Sequence, residues 1–317
     1  MRYSVIIPVY NRPDEVDELL QSLTQQSFKD FEVIVVEDGS SIPCKPVTEK
    51  YQELLDVHYY DKPNSGPGQT RNYGAERSKG EYLIILDSDC ILPEGYFLAV
   101  EEELQHEAAD AFGGPDRAHE SFTDIQKAIN YSMTSFFTTG GIRGGKKKMD
   151  KFYPRSFNMG VRREVYQALG GFSRMRFGED IDFSIRIFKG GYTCRLFPGA
   201  WVYHKRRTDF RKFFKQVHNS GIARINLYKK YPESLKLVHL LPAAFTLGVA
   251  IFLLGTLFCP YSLLPIALYA LLVCIDSTIR NRSLSIGSTP LRLLHPAHRI
   301  RDGFLRAWWN AAYLART

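Results

Sequence analysis

The chain has 317 residues, of which 44% are hydrophobic, and a formal net charge of +7. This length allows one large domain and a smaller part, and the positive charge indicates an anionic partner: a phosphorylated substrate, nucleic acid or a membrane surface. The five cysteines show no C-x-x-C spacing, so neither a disulfide framework nor a zinc site is indicated and a reducing compartment is favoured. The N-terminal apolar run has strand length, too short for a signal peptide, so we expect the main domain to be cytoplasmic.

The first part of the chain alternates short apolar runs with helical segments. Buried strands are predicted at residues 4–9, 31–36, 57–60 and 82–86. Helices fill the intervals; Asn11 is a plausible cap of the first, and another is expected at about 47–55. Strands alternating with helices in this order predict an α/β class with a doubly wound, mostly parallel sheet.

Carboxylates follow two of these strands. Glu37 and Asp38 end the second strand, and Asp87 and Asp89 follow the fourth. Open α/β sheets bind nucleotides at the carboxyl ends of their strands, and hard oxygen ligands suit Mg²⁺ or Mn²⁺, which completes its shell with water and substrate phosphate. A single D-x-D is also compatible with an acidic loop or a helix cap.

The pattern loosens after residue 93. A helix is predicted at 94–107, and a long segment at 122–151 includes a run of three lysines at 146–148 that suits phosphate, anionic lipid or solvent. An N-M-G sequence at 158–160, for which a turn is one explanation, precedes a helix at 163–169. Glu179 and Asp180 stand at the start of a helix that runs to Lys189, either as functional carboxylates or as simple caps.

The composition changes abruptly near the C-terminus. Between Lys236 and Asp276 there is no Asp, Glu, Lys or Arg, and since a span needs roughly 20 apolar residues, this interval suits a transmembrane hairpin. A buried hairpin of a soluble domain is the alternative. Basic residues on both sides place both ends in the cytoplasm. A last helix at about 296–315 suits either the membrane interface or packing on the main domain.

These features divide the chain into a catalytic domain at 1–230, a linker at 231–236, a hairpin at 237–278 and a basic amphipathic tail at 279–317.

Taken together, the motifs have a familiar order. They are P-V-Y-N-R at 8–12, E-D-G-S at 37–40, R-N at 71–72, D-S-D at 87–89, N-M-G at 158–160, and then G-G-F and G-E-D. The set resembles the family 2 glycosyltransferases of GT-A fold, the fold of nucleotide-diphospho-sugar transferases, over about residues 4–205. The resemblance implies transfer of a sugar from a nucleotide diphosphate donor to an acceptor hydroxyl with inversion.

The resemblance also implies roles for individual residues. Asp38 is expected to contact the nucleotide base, Asp87 the ribose or metal, and Asp89 the Mg²⁺ or Mn²⁺ ion, with His204 at a position that sometimes completes the metal site. Asp180 matches the general base. The other residues expected to bind the nucleotide sugar are Pro8, Tyr10, Arg71, Asn158, Gly160, Glu179 and Arg206. Glu37 stands where the family more often has Asp, which keeps the carboxylate.

The Q-x-x-R-W motif of processive synthases is missing after Gln216, which favours transfer of a single sugar. We therefore expect a membrane-anchored, metal-dependent transferase at the cytoplasmic face of the inner membrane, acting on a glycan or lipid-linked acceptor in envelope biosynthesis. The alternatives are a nucleotidyltransferase and a catalytically idle scaffold that binds a nucleotide. Nucleic acid is not an expected partner, because the basic residues spread around the membrane segment.

Overall fold

The computed structural model describes residues 1–117, 123–139, 152–205 and 209–281. Packing divides the chain into two compact units, the first formed by residues 1–119 and 148–205, the second by residues 120–147 and 206–317. Three sequence predictions fall outside the described residues: the role of Arg206, the lysines at 146–148 and the last helix at 296–315. The predicted divisions at residues 230, 236 and 278 stay predictions.

The first half of the first unit confirms the predicted alternation. Its elements are β1 (Tyr3–Val9), α1 (Pro13–Thr24), β2 (Phe31–Asp38), α2 (Lys45–Glu49), β3 (Val57–Lys62), α3 (Pro67–Ala75) and β4 (Tyr82–Leu86). These four strands are parallel and lie in the order β3-β2-β1-β4. The apolar side chains of β1, β2 and β4 are buried on both faces of the sheet, as expected of parallel strands covered by helices.

The remaining elements follow in chain order: β5 (Cys90–Ile91), α4 (Tyr96–His106), β6 (Ala111–Gly113), β7 (Asp116–Arg117), α5 (Asp124–Thr134), α6 (Phe136–Thr139), β8 (Asn158–Arg162), α7 (Arg163–Ala168), α8 (Glu179–Lys189), β9 (Cys194–Leu196), β10 (Val202–His204), α9 (Phe210–Lys230), α10 (Leu241–Gly255) and α11 (Leu264–Asn281). The main sheet has seven strands in the order β3-β2-β1-β4-β8-β6-β9. A small sheet joins β5, β10 and β7. The α/β class with a mostly parallel sheet is therefore confirmed.

Strand β8 corrects the reading of N-M-G as a turn. It runs antiparallel to β4 and to β6 between them, so that Gly160 faces Ile84 on one side and Phe112 on the other. A Cβ at residue 160 would lie 2.1 Å from the Phe112 ring. The glycine is thus needed for close packing of two strands, a long-range requirement that the local sequence does not display.

Two local predictions in the first half are also wrong. Asn11 does not cap α1: it has a positive φ of 55°, and its Oδ1 accepts hydrogen bonds from the backbone N–H groups of Ser41 and Ile42. Asparagine tolerates this conformation, so Asn11 instead ties the end of β1 to the loop after β2. The helix expected at 47–55 ends at Glu49 and is followed by turns.

The second unit is helical in its described part. Tyr131 of α5 donates a hydrogen bond to Asp276 Oδ2 of α11 at 2.6 Å, and Ser135 donates to the same oxygen at 3.1 Å. Arg280 lies one turn further along α11, with its Nε 3.1 Å from the other oxygen of Asp276. The single carboxylate within α11 is therefore held by three groups of the same unit.

Helices α10 and α11 expose most of their apolar side chains. No residue of α10 is buried, and its leucine and phenylalanine side chains are largely exposed. The stretch Pro260–Arg280, with 21 residues, is long and apolar enough to cross a bilayer, whereas α10 has 15 residues. Within the described residues one helix meets the requirement for a span, and the predicted two-span hairpin is not confirmed.

The packing of Gly160 can be tested by Gly160→Ala. The added methyl group collides with the Phe112 ring between β8 and β6, and we expect the free energy of unfolding to fall by about 2 kcal/mol, a usual cost of overpacking. Chemical denaturation monitored by fluorescence measures the change. Gly95→Ala is the control, because nothing lies within 4 Å of its Cβ position. A Gly160→Ala protein as stable as Gly95→Ala would contradict this account of β8.

Candidate active site

Asp38 lies at the carboxyl end of β2 and organises the loop that leads into α3. Its Oδ1 pairs with Lys62 and accepts the Ser65 N–H at 2.8 Å, and its Oδ2 accepts the Gly66 N–H at 3.0 Å. Burial alone would raise the pKa of Asp38, but the Lys62 ammonium and the Ser65 N–H outweigh it and lower the pKa below its usual value. Asp38 is therefore ionised at neutral pH and fixes the loop after β3.

Asp89 follows β4 in the loop before β5 and meets side chains from two other elements. His204 Nε2 of β10 lies 3.1 Å from Asp89 Oδ1, and Arg12 Nη1 lies 3.1 Å from Oδ2. The imidazole of His204 stacks on Phe157 with ring centroids 4.9 Å apart, which fixes the orientation of its plane. The antiparallel pairing of β10 with β5 sets His204 opposite Cys90 and so places it beside Asp89.

The pair of Asp89 and His204 fits a divalent cation. Two ligands at right angles on an octahedral ion, each about 2.1 Å away, stand about 3.0 Å apart, close to the 3.1 Å between Asp89 Oδ1 and His204 Nε2. Carboxylate oxygen and imidazole nitrogen are both ligands of Mn²⁺-type ions. Cys90 also lies within reach, but its thiol donates to the Phe157 carbonyl, and burial raises its pKa well above the usual value.

Arg71 of α3 is buried between two carboxylates. Its Nη2 lies 2.7 Å from Asp87 Oδ1, after β4, and its Nη1 lies 2.9 Å from Glu179 Oε1, at the start of α8. The Arg71 side chain is only 4% exposed. Burial would lower its pKa, but the charges of Asp87 and Glu179 more than offset this and raise it. The guanidinium thus ties three elements together at one edge of the sheet.

Asp180 is the second residue of α8 and lies close to a second arginine. Gly178, with a φ of 84°, turns the chain directly into the helix, so that Glu179 and Asp180 occupy its first turn. Asp180 Oδ1 accepts the N–H of Ile181 at 2.8 Å, and Arg155 Nε lies 2.6 Å from its Oδ2. Burial opposes ionisation, but Arg155 outweighs it and lowers the pKa of Asp180. Asp180 is therefore an ionised carboxylate at neutral pH, as a general base must be.

The neighbouring carboxylate behaves differently. Burial raises the pKa of Glu179, and the charge of Asp180 adds to the effect, while Arg71 works against both. Adjacent carboxylates in one buried turn cannot both be ionised without cations. The two arginines, Arg71 and Arg155, are what make the arrangement possible.

The remaining predicted residues occupy varied positions. Tyr10 follows β1 and is 54% exposed, whereas Pro8 lies within β1 beside Val36 of β2. Asn158 is buried; its Oδ1 accepts from Tyr96 and its Nδ2 donates to the Ala200 carbonyl, both at 2.7 Å. The structure therefore shows a packing role for Asn158, as it does for Gly160, and their contact with a sugar stays a prediction.

The ion pairs of three basic residues in the site could not be predicted from the sequence. Lys62 pairs with Asp38, Arg12 with Asp89 and Arg155 with Asp180. Arg12 stands in the P-V-Y-N-R motif, but its partner lies 77 positions further along the chain. These pairings arise from the crossing of strands and could be found from sequence only through knowledge of the fold.

A second cluster of possible ligands lies at the opposite, amino edge of the sheet. Glu32, Asp56 and His58 bring ligand atoms within 4.8 Å of one another. His58 Nε2 lies 3.1 Å from Asp56 Oδ1 and 3.7 Å from Glu32 Oε2. This cluster is separate from the site at the carboxyl edge.

The comparisons with known proteins agree with this geometry. The family model for glycosyl transferase family 2 matches residues 4–170, more than half of the chain. The protein therefore belongs to glycosyl transferase family 2.

Curated relatives support the same class. An uncharacterized glycosyltransferase of Haemophilus influenzae is 30% identical over 193 residues, which cover 59% of this chain and 62% of the relative. The GalNAc(5)-diNAcBac-PP-undecaprenol beta-1,3-glucosyltransferase of Campylobacter jejuni is 32% identical over 115 residues, which cover 35% of this chain and 37% of that enzyme. In both cases the match spans less than two thirds of the relative.

A solved structure extends the likeness to nearly the whole chain. A mannosyltransferase from Pyrobaculum calidifontis, in complex with GDP-Man and Mn²⁺, matches with a TM-score of 0.57 and 17% identity, and the match covers 99% of this chain and 86% of that one. At this identity the likeness concerns the fold, which is the GT-A fold predicted from the motifs.

Removal of the buried arginine should be costly in a pH-dependent way. Arg71→Met leaves the buried Glu179 and the partly exposed Asp87 without their cation, and we expect a loss of about 3 kcal/mol at pH 8, the lower end of the usual cost of breaking a buried pair. Because protonation relieves an unpaired carboxylate, the loss should shrink as the pH falls toward 5. Thermal unfolding across this range measures it.

Arg176→Met is the control for this experiment, because Arg176 is exposed and makes no ion pair among the described residues. An Arg71→Met deficit that stays constant between pH 5 and 8 would show that lost packing, rather than unpaired charge, is the cause.

Proposed function

We propose that this protein transfers a single sugar, with inversion, from a nucleoside diphosphate sugar to a hydroxyl group of its acceptor, with the help of a divalent cation. The observation that carries the proposal is the placement of four carboxylates, Asp38, Asp87, Asp89 and Asp180, at the carboxyl side of one GT-A sheet. Asp180 is ionised and lies at a helix N-terminus, and Asp89 is paired with a histidine. The solved neighbour with a nucleotide sugar and Mn²⁺ supports this chemistry.

The nucleotide is proposed to lie over the ends of β1 and β2. The exposed ring of Tyr10 offers a face for the base, and Asp38 fixes the adjoining loop, so that its influence on the base runs through Lys62 and the backbone at Ser65 and Gly66. The side-chain oxygens of Asp38 already accept hydrogen bonds within the protein.

The cation is proposed to bind at Asp89 and His204 and to supply charge opposite the leaving diphosphate. Because negative charge grows on that diphosphate as the sugar bond breaks, a cation there stabilises the transition state more than the bound substrate. Asp89 and His204 present the two ligands. Arg12, at the other oxygen of Asp89, adds a positive charge to the same region.

Asp180 is proposed to take the proton from the attacking hydroxyl. An inverting displacement needs one base on the side opposite the leaving group. The N–H of Ile181 and the guanidinium of Arg155 hold the carboxylate, and its remaining lone pairs stay available to the acceptor.

The site is proposed to work at the cytoplasmic face of a membrane. Helices α10 and α11 expose apolar side chains, whose contact with water is unfavourable. A stretch without Asp, Glu, Lys or Arg extends α10 at both ends, from Leu237 to Phe258. With these extensions both segments approach the length of a span. A lipid-linked acceptor, such as the name of the Campylobacter enzyme describes for that protein, fits a transferase held at this surface.

A donor screen tests the reaction. Purified protein in detergent is incubated with Mn²⁺ and a panel of nucleotide sugars, and we expect slow release of nucleoside diphosphate from one donor, abolished by chelator and by Asp89→Ala, because both remove the cation. Asp61→Ala, at an exposed position at the end of β3, is the control and should retain activity. Release that continues in chelator and in Asp89→Ala would contradict the metal site.

The membrane arrangement is tested by the single exposed cysteine of the described residues, Cys259, which lies between α10 and α11. If both segments cross the bilayer from the cytoplasm, Cys259 faces the outside. A membrane-impermeant maleimide should then label Cys259 in intact spheroplasts, and Cys259→Ser should not be labelled. Labelling that occurs only after the membrane is broken would contradict the hairpin.

A further inference from the structure

Arg155 belongs to none of the sequence motifs and is the first residue of a tight turn. Its carbonyl accepts the N–H of Asn158 at 3.0 Å, and the two residues form a β-bridge. Asn158 is itself fixed by hydrogen bonds to Tyr96 and Ala200 and begins β8. The backbone of Arg155 is therefore anchored to the main sheet, and its side chain reaches from there to α8.

The contact with Asp180 uses one nitrogen of the guanidinium. Arg155 Nε lies 2.6 Å from Asp180 Oδ2, while the Arg155 side chain is 41% exposed. No hydrogen bond of its Nη1 or Nη2 to another described residue is present. The arginine thus holds the carboxylate by its inner edge and keeps its outer edge open.

The charges around Asp180 explain why a cation is needed there. The acidic groups that face the region are Asp87 after β4, and Glu179 and Asp180 in α8, and the cations are Arg71 and Arg155. Arg71 spends both of its Nη groups on Asp87 and Glu179. The next acid of α8, Asp182, is bound to Arg186 at 3.0 Å. Asp180 consequently has Arg155 as its direct cationic partner.

We propose that Arg155 is a positioning residue for the reaction: it keeps Asp180 ionised and aimed beside Glu179, so that the base is ready at neutral pH. The inference rests on the proposed role of Asp180 as general base and adds the residue that sets the pH range in which this base is ionised. Arg155 acts through Asp180 and is not itself the base.

The sign of the effect follows from the contact. Arg155 lowers the pKa of Asp180 against the opposing effect of burial. Without Arg155, burial of Asp180 is opposed only by the charge of Arg71 and the N–H of Ile181, and the pKa rises. The carboxylate then takes up a proton at a pH where the wild-type base is free, and the reaction loses its acceptor for the hydroxyl proton.

The test is the pH dependence of kcat/KM for the donor found in the screen, compared between wild type, Arg155→Gln and Arg155→Lys. We expect the acid limb of the Arg155→Gln profile to move upward by about one pH unit or more, so that activity at pH 6.5 falls on the order of tenfold and recovers at alkaline pH. Arg155→Lys should restore much of the profile, because the ammonium keeps the charge. Arg174→Gln, at an exposed position, is the matched control.

A loss of activity in Arg155→Gln that is equal at every pH would overturn the inference, since a structural defect has that signature. So would a profile that coincides with wild type. If the wild-type protein itself turns over no donor, the proposed function fails.

A second measurement is independent of turnover. A carboxylate whose pKa is lowered in the folded protein stabilises the fold above its unfolded pKa and loses this contribution as the pH falls. The melting temperature of Arg155→Gln should therefore lie below that of wild type at pH 8, and the gap should close toward pH 4. A gap that does not change with pH would overturn the inference even where activity cannot be read.

Discussion

The buried guanidinium of Arg71 is the interaction on which the rest of the catalytic unit depends. It is supplied by α3 and bound by carboxylates that follow β4 and begin α8, and these elements are far apart in sequence. A charge at this depth is tolerated only with such partners, and each carboxylate in turn relies on the arginine. The same contact therefore closes the fold at the carboxyl edge of the sheet and places a positive charge near Asp180.

The two adjacent carboxylates at the start of α8 have pKa values that are shifted in opposite directions. Asp180 is kept ionised by Arg155, whereas the pKa of its neighbour Glu179 is raised by burial and by the charge next to it. Two carboxylates in the same buried helical turn repel each other when both are ionised. The arginines resolve this conflict, and so basic residues are as much a part of the site as the acids that define the motifs.

The sequence predicted what local patterns can encode. The runs that became β1 to β4, the order of helices between them and the acids at the strand ends are all visible because strand burial and turn chemistry act over a few residues. Strand β8 was not predicted, because its place in the sheet depends on the close packing of Gly160 against Phe112. Arg155 and Lys62 were missed for the same reason: a partner brought by tertiary structure leaves no trace beside the residue itself.

The position of the antiparallel strand β8 in the chain determines when the sheet can be completed during synthesis. It pairs Leu86 with Asn158, so the sheet cannot extend beyond β4 until the ribosome has synthesised the far end of this long interval. Strands β1 to β4 can assemble earlier, because all four have been synthesised once residue 86 is in place. All the strands of the first unit have then been synthesised before α10 and α11 emerge from the ribosome. A nascent chain engaged by the membrane through α10 and α11 would carry a catalytic unit whose every strand has already been synthesised.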